Sequence, residues 1–68
     1  MKEYERRIQQ AYVYVEHEYP ALINMAKDSE EGRRVLLNVL HREANVDKAT
    51  MIKWINNNTE LRYELQHR

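Results

Sequence analysis

Lys48, Thr50, Lys53, Asn56 and Asn57 place five hydrogen-bonding side chains in one short stretch of sequence. At about 100° per residue, Ala49, Thr50, Lys53, Asn56 and Asn57 fall on one side of a helix. Met51, Trp54 and Ile55 fall on the other, with Ile52 at the edge. Small residues where a backbone must approach, together with donors that reach phosphates and base edges, are what a helix needs to enter the major groove of DNA. In that reading Thr50 contacts phosphate, Lys53 phosphate or guanine, and Asn56 or Asn57 an adenine edge. Lys48, at the start of the helix, reaches the phosphate backbone. The same pattern also describes an ordinary surface helix whose Met51, Trp54 and Ile55 are core and whose polar strip is solvated.

Other chemistry finds less support. The run Glu16-His17-Glu18 contains metal-capable residue types, but neighbours on a helix diverge by about 100° and do not converge on one ion. The three histidines have no helical ligand spacing, and there is no cysteine to act as thiolate ligand, nucleophile or disulfide partner. No glycine-rich phosphate loop is present, since the chain has a single glycine. The expectation is therefore a non-enzyme with neither metal nor cofactor.

Sixty-eight residues form one domain, near the lower limit at which a chain buries enough apolar surface to fold without a staple. Eleven basic and eleven acidic residues cancel, so any attraction for nucleic acid must come from a local patch. The apolar runs fall far short of the ~20 residues that span a bilayer, and the start Met-Lys-Glu-Tyr-Glu-Arg-Arg has no apolar signal region. A soluble, cytoplasmic protein with no membrane partner is expected.

One glycine, one proline and no strand-like alternation argue for helices throughout. From Lys2 to Tyr19, the residues Tyr4, Ile8, Ala11, Tyr12, Val15 and Tyr19 recur at spacings of three and four, which predicts an amphipathic helix. Val13 and Tyr14 lie off that stripe. Pro20 marks a boundary, and a short helix from Ala21 to Lys27 is expected to bury Leu22, Ile23, Met25 and Ala26. Asp28, three residues before Glu31, has the spacing of a capping box for a third helix running to Ala44. Val35, Leu36, Leu37, Val39, Leu40 and Ala44 cover more than half of this helix, which predicts a central position. Arg34, Asn38, His41 and Arg42 share its remaining strip, and Gly32 suits a close helix approach there. Asp47 is the expected cap of the fourth helix, ended by Asn56-Asn57-Asn58, and a last short helix from Thr59 to about His67 completes the pattern. The fold expected is an all-α bundle of four or five short helices in a single domain, residues 1–68.

The segment Asn45-Val46-Asp47-Lys48-Ala49-Thr50-Met51-Ile52-Lys53-Trp54-Ile55-Asn56 resembles the turn and recognition helix of small helix-turn-helix DNA-binding regulators. Their usual form is Gly-Val-Ser, two variable residues, Thr-Val, a variable residue and Arg-Trp-Leu-Asn. Asn45 stands for the turn glycine, Asp47 for the capping serine and Lys53 for the arginine, with Leu37 to Ala44 as the supporting helix. The resemblance spans residues 37–56. It departs at His41, where the family has a small residue because the helices cross closely, and at Ile52, a position that often faces DNA.

The resemblance implies a small transcriptional regulator or recombination accessory factor of phage or mobile-element type that binds double-stranded DNA through Lys48, Thr50, Lys53, Asn56, Asn57 and Arg42. The alternative is a protein-binding adaptor or inhibitor acting through a helical surface without DNA. Tyrosine is enriched at interfaces and four of the five lie in the first nineteen residues, so Tyr4, Tyr12, Val13, Tyr14 and Ile52 are the expected contacts with a protein partner or a second copy in a homodimer. Surface charge separates the two. DNA binding predicts that Arg33, Arg34, Arg42, Lys48 and Lys53 gather on the face of Thr50 with Glu30 and Glu31 turned away. Partner binding predicts an exposed apolar patch that includes Val13, Tyr14 or Ile52.

Overall fold

Most helix boundaries among the described residues have a local cause. The computed structural model describes residues 2–64, which form α1 (Glu3–Glu18), α2 (Pro20–Asp28), α3 (Glu30–Ala44) and α4 (Lys48–Asn58), with no strand among them. Pro20 occupies the first turn of α2, where its missing N–H costs no hydrogen bond. The chain bends at Tyr19, whose backbone leaves the helical region (φ −135°, ψ 59°). That bend takes Tyr19 out of phase with the apolar stripe, so it is 53% exposed and not part of the core as its spacing predicts.

Ser29 alone separates α2 from α3. Its hydroxyl donates to the Met25 carbonyl (3.3 Å), closing one helix, and accepts from the Gly32 N–H (3.0 Å), opening the next. The cap is thus Ser29 rather than Asp28, which is the last residue of α2. The acidic first turn, Glu30 and Glu31, still lies at the positive end of the α3 dipole.

The core is the set of residues the helical spacing marks on α1 and α3, joined by contributions from the other elements. Ile8, Val15, Ala26, Leu36, Leu40, Met51 and Ile55 are completely buried, with Ala11, Tyr12, Ile23, Ala44, Val46 and Leu61 nearly so. Helix α3 packs against all three other helices, the central position its wide apolar arc predicts. Only Leu36, Leu40 and Ala44 of that arc are fully enclosed, while Val35, Leu37 and Val39 are half-buried or more open at its margins. On α2, Ile23 and Ala26 face inward and Met25 faces out at 44% exposure, because nine residues of helix have only one side turned to α3. Tyr12 packs on Trp54 with ring centroids 5.8 Å apart, which joins α1 to α4.

Two arginines bind the elements through helix ends. Arg7 Nε donates to the Ala44 carbonyl at the end of α3 (3.0 Å), and Arg33 donates to the Ala26 carbonyl in the last turns of α2 (3.2 Å). Both place a cation where a helix leaves carbonyls unpaired and its dipole is negative. Arg7 is therefore half-buried and structural.

The expected fifth helix does not form over residues 59–64. The Thr59 hydroxyl accepts from the Leu61 N–H (3.1 Å) in a local turn that competes with helix, and the Tyr63 N–H is taken by the Asn56 side chain. The remainder of that expected helix, from residue 65 onward, lies outside the described residues. No helix among the described residues is long and apolar enough to cross a membrane.

Gly32 lets α3 approach the backbone of α2 closely. A Cβ there would meet the Met25 carbonyl and come within 2.8 Å of the Ala26 nitrogen, both backbone atoms that cannot swing away. In an unconstrained helix Gly→Ala gains about 1 kcal/mol. Here Gly32→Ala should instead lose roughly 1–3 kcal/mol, as overpacking does. Urea denaturation of the native and G32A chains measures the sign directly.

Candidate nucleic-acid interface

The turn before α4 is built from three residues with separate tasks. Asn45 adopts the left-handed conformation (φ 57°, ψ 47°) that ends α3, a role asparagine fills with less strain than most residues other than glycine. Val46 turns inward and is buried, anchoring the turn to the core. Asp47 returns to extended backbone and caps α4: its carboxylate accepts from the Thr50 N–H (3.0 Å) and the Thr50 hydroxyl (2.8 Å).

His41 has a defined place in this turn. Its Nδ1 lies 2.8 Å from the Val46 carbonyl, so that nitrogen carries the proton and donates. The half-buried imidazole thus closes the α3–α4 junction with a hydrogen bond across the turn, at the position where the resembling regulators have a small side chain.

The turn sets the rotation of α4. Met51 and Ile55 point into the core, Trp54 rests half-buried on Tyr12, and Lys48, Ala49, Lys53 and Asn57 are exposed. Thr50 shares that side, but its hydroxyl donates to Asp47 and so serves the cap. Asn56 is also committed. Its amide donates to the Tyr63 carbonyl (3.0 Å) and accepts from the Tyr63 N–H (2.7 Å), pairing with the backbone as a neighbouring strand would. Sequence reasoning missed this clamp because its two halves lie in different elements, and no local pattern marks the pairing.

The tail it holds runs beside the lower half of α4. The Tyr63 hydroxyl donates to the Arg33 carbonyl (2.7 Å), and burial, the leading cause, raises its pKa well above the ordinary value. Ile52 lies half-buried in a groove it shares with Leu37, Arg33, Arg34, Arg62, Tyr63, Glu30 and Glu64. The arginines of the expected patch are divided between two grooves. Arg33 and Arg34 share the Ile52 groove with Glu30, and Arg34 also makes an exposed 3.5 Å ion pair with Glu31. Arg42 is exposed but lines a separate groove with Tyr14, Tyr19, Leu22, Val39 and Glu43, to which α4 contributes nothing.

The expected protein contacts divide as well. Val13 and Tyr14 are about half exposed, at 53% and 47%. Tyr4 is half-buried against the core, and Tyr12, at 8% exposure, is a core residue packed on Trp54, with only its edge lining the groove beside Val13. Tyr19 and Met25, which the spacing assigns to the interior, add to the exposed apolar surface.

No family model, curated protein or solved structure matches the chain. The reading of α4 thus rests on its own geometry and charge. Helix α4 holds Lys48 and Lys53 and no acidic residue, the one helix among those described with that composition. At its N-terminus the Asp47 carboxylate takes the Thr50 N–H and adds a negative charge, so a phosphate on this face would be held chiefly by lysine ammonium groups.

Two outcomes follow from the cap and the clamp. Accepting hydrogen bonds from Thr50, chiefly the backbone N–H, lowers the Asp47 pKa from its ordinary value of 3.8. The cap's contribution is thus complete above that value and is lost as pH falls through the lowered folded-state value. Thermal midpoints of the native and Asp47→Ala chains should differ at neutral pH and converge in stronger acid. Tyr63→Phe should cost about 1 kcal/mol in chemical denaturation through the lost hydrogen bond to Arg33. Because the folded-state pKa of Tyr63 is raised, the native chain should also lose stability as pH rises past 10.0, where the unfolded tyrosine begins to ionise, and the contribution of Tyr63 to that slope should vanish in Y63F.

Proposed function

We propose that this protein is a small DNA-binding regulator or recombination accessory factor of phage or mobile-element type, acting in the cytoplasm, which presents α4 to the major groove of duplex DNA. The observation that carries the reading is the pairing of a rigid three-residue turn with an exposed face of Lys48, Ala49, Lys53 and Asn57 on a helix without acidic residues. Helices α1, α3 and α4 share one core, so α4 is held as a rigid unit and its outer face is free to meet a flat or grooved polyanion.

The roles divide by chemistry. Lys48 and Lys53 neutralise phosphates, and Ala49 allows the backbone of α4 to approach the groove floor. Asn57 supplies the amide that can pair with adenine. Thr50 and Asn56 act one step back, fixing the start of α4 and the tail beside it, unless binding releases Asn56 from Tyr63. Arg42 lines the groove of Tyr14 and Tyr19 and is not among the contacts proposed.

A second reading, binding of a partner protein without DNA, draws on exposed Val13. It lies beside Tyr12 and Trp54 in a groove between α1 and α4 that Glu5 and Glu16 make acidic. Such a groove suits a basic segment of another protein and repels phosphate.

A duplex titration at two salt concentrations separates the readings. The native chain should bind at low salt with an affinity that falls steeply as salt rises. Lys53→Ala should weaken binding across sequences and reduce the salt slope by about one counterion. Absence of binding at low salt would remove the DNA reading and leave the α1–α4 groove as the functional surface.

A further inference from the structure

The groove lined by Tyr14, Tyr19, Leu22, Val39, Arg42 and Glu43 lies at the end of α1, along α2 and on the outer side of α3. Tyr14 and Tyr19 meet edge to face across it, ring centroids 6.1 Å apart, and both rings remain about half exposed. The bundle therefore presents two aromatic rings, packed on each other, at its surface without burying them. Rings ordered in advance lose little entropy when something covers them.

We propose that this face is covered by a second copy of the same chain, docked about a two-fold axis. Charges of both signs surround the apolar centre. Arg42 and Glu43 border the groove side by side, Glu18 stands one turn beyond Tyr14 on α1, and none of the three forms an ion pair among the described residues. A two-fold interface apposes a patch to itself, so it must be complementary to its own charges. Opposite charges side by side meet that condition: Arg42 of each copy meets Glu43 of the other, while the tyrosines, Leu22 and Val39 close over one another. A polyanion such as DNA would leave Glu18 and Glu43 opposed to like charge, and a strongly basic protein would leave Arg42 so. The composition, tyrosine and arginine around aliphatic side chains, is that of interface centres. Because α4 contributes nothing to the groove, docking there leaves its outer face open, and the proposal stands whether or not α4 binds DNA.

Sedimentation equilibrium of the full chain in the absence of DNA tests this. The native chain should show a monomer–dimer equilibrium. Arg42→Glu and Glu43→Arg, each alone, should oppose like charges across the axis and weaken dimerisation at least tenfold while circular dichroism shows the native helix content. An equimolar mixture of the two variants should recover a dimer, since the paired acidic side chains of one variant then face the paired basic side chains of the other. Tyr14→Ala should weaken association without charge change. A native chain that is monomeric at every concentration, or single variants that dimerise as the native chain does, or a mixture that stays monomeric, would overturn the proposal.

Discussion

At Gly32 the backbone of α3 approaches the end of α2 so closely that no side chain fits between them. That contact is the constraint on which the rest of the bundle depends. It comes three residues after Ser29, whose single hydroxyl ends one helix and starts the other, so the two helices meet with almost no connecting chain. Arg33 then ties the same junction by donating to Ala26. With α2 held against its first turns, α3 has its remaining surface free for α1 and α4, and a chain of this length can enclose Leu36 and Leu40 completely.

The position of α4 follows from the other end of α3. Ala44 is buried and its carbonyl is taken by Arg7, the left-handed Asn45 reverses the chain, and buried Val46 fixes where the reversal ends. Asp47 and His41 complete the turn with hydrogen bonds across it. These constraints leave α4 little freedom of rotation. Its lysines face outward because Met51 and Ile55 must face inward, so the candidate interface is a consequence of core packing and needs no separate device to orient it.

Charge is distributed under the same constraints. Several arginines are engaged in structure: Arg7 and Arg33 at helix ends, Arg34 beside Glu31. Lys48 and Lys53 lie exposed on α4 without an acidic residue in that helix, while Arg42 lies beside Glu43 in a groove that α4 does not line. A single composition thus yields surfaces of different character.

The all-α class, the central place of α3, the Pro20 boundary and the Asp47 cap were legible in the sequence, because each depends on local periodicity or on a residue acting within one turn of itself. The inward face of α4 was legible for the same reason. What the tertiary structure decided lies between elements distant in sequence. Asn56 became a clamp for Tyr63, which drew residues 59–64 out of the helix their spacing suggests; Tyr12 was enclosed by Trp54, and Tyr19 was turned outward by the bend at its own backbone. Arg42 came to line a groove with Tyr14, Tyr19 and Leu22, because neighbouring helices decide what each strip of a surface meets. Periodicity gives the face of a helix on which a residue lies, whereas only packing determines what that face meets.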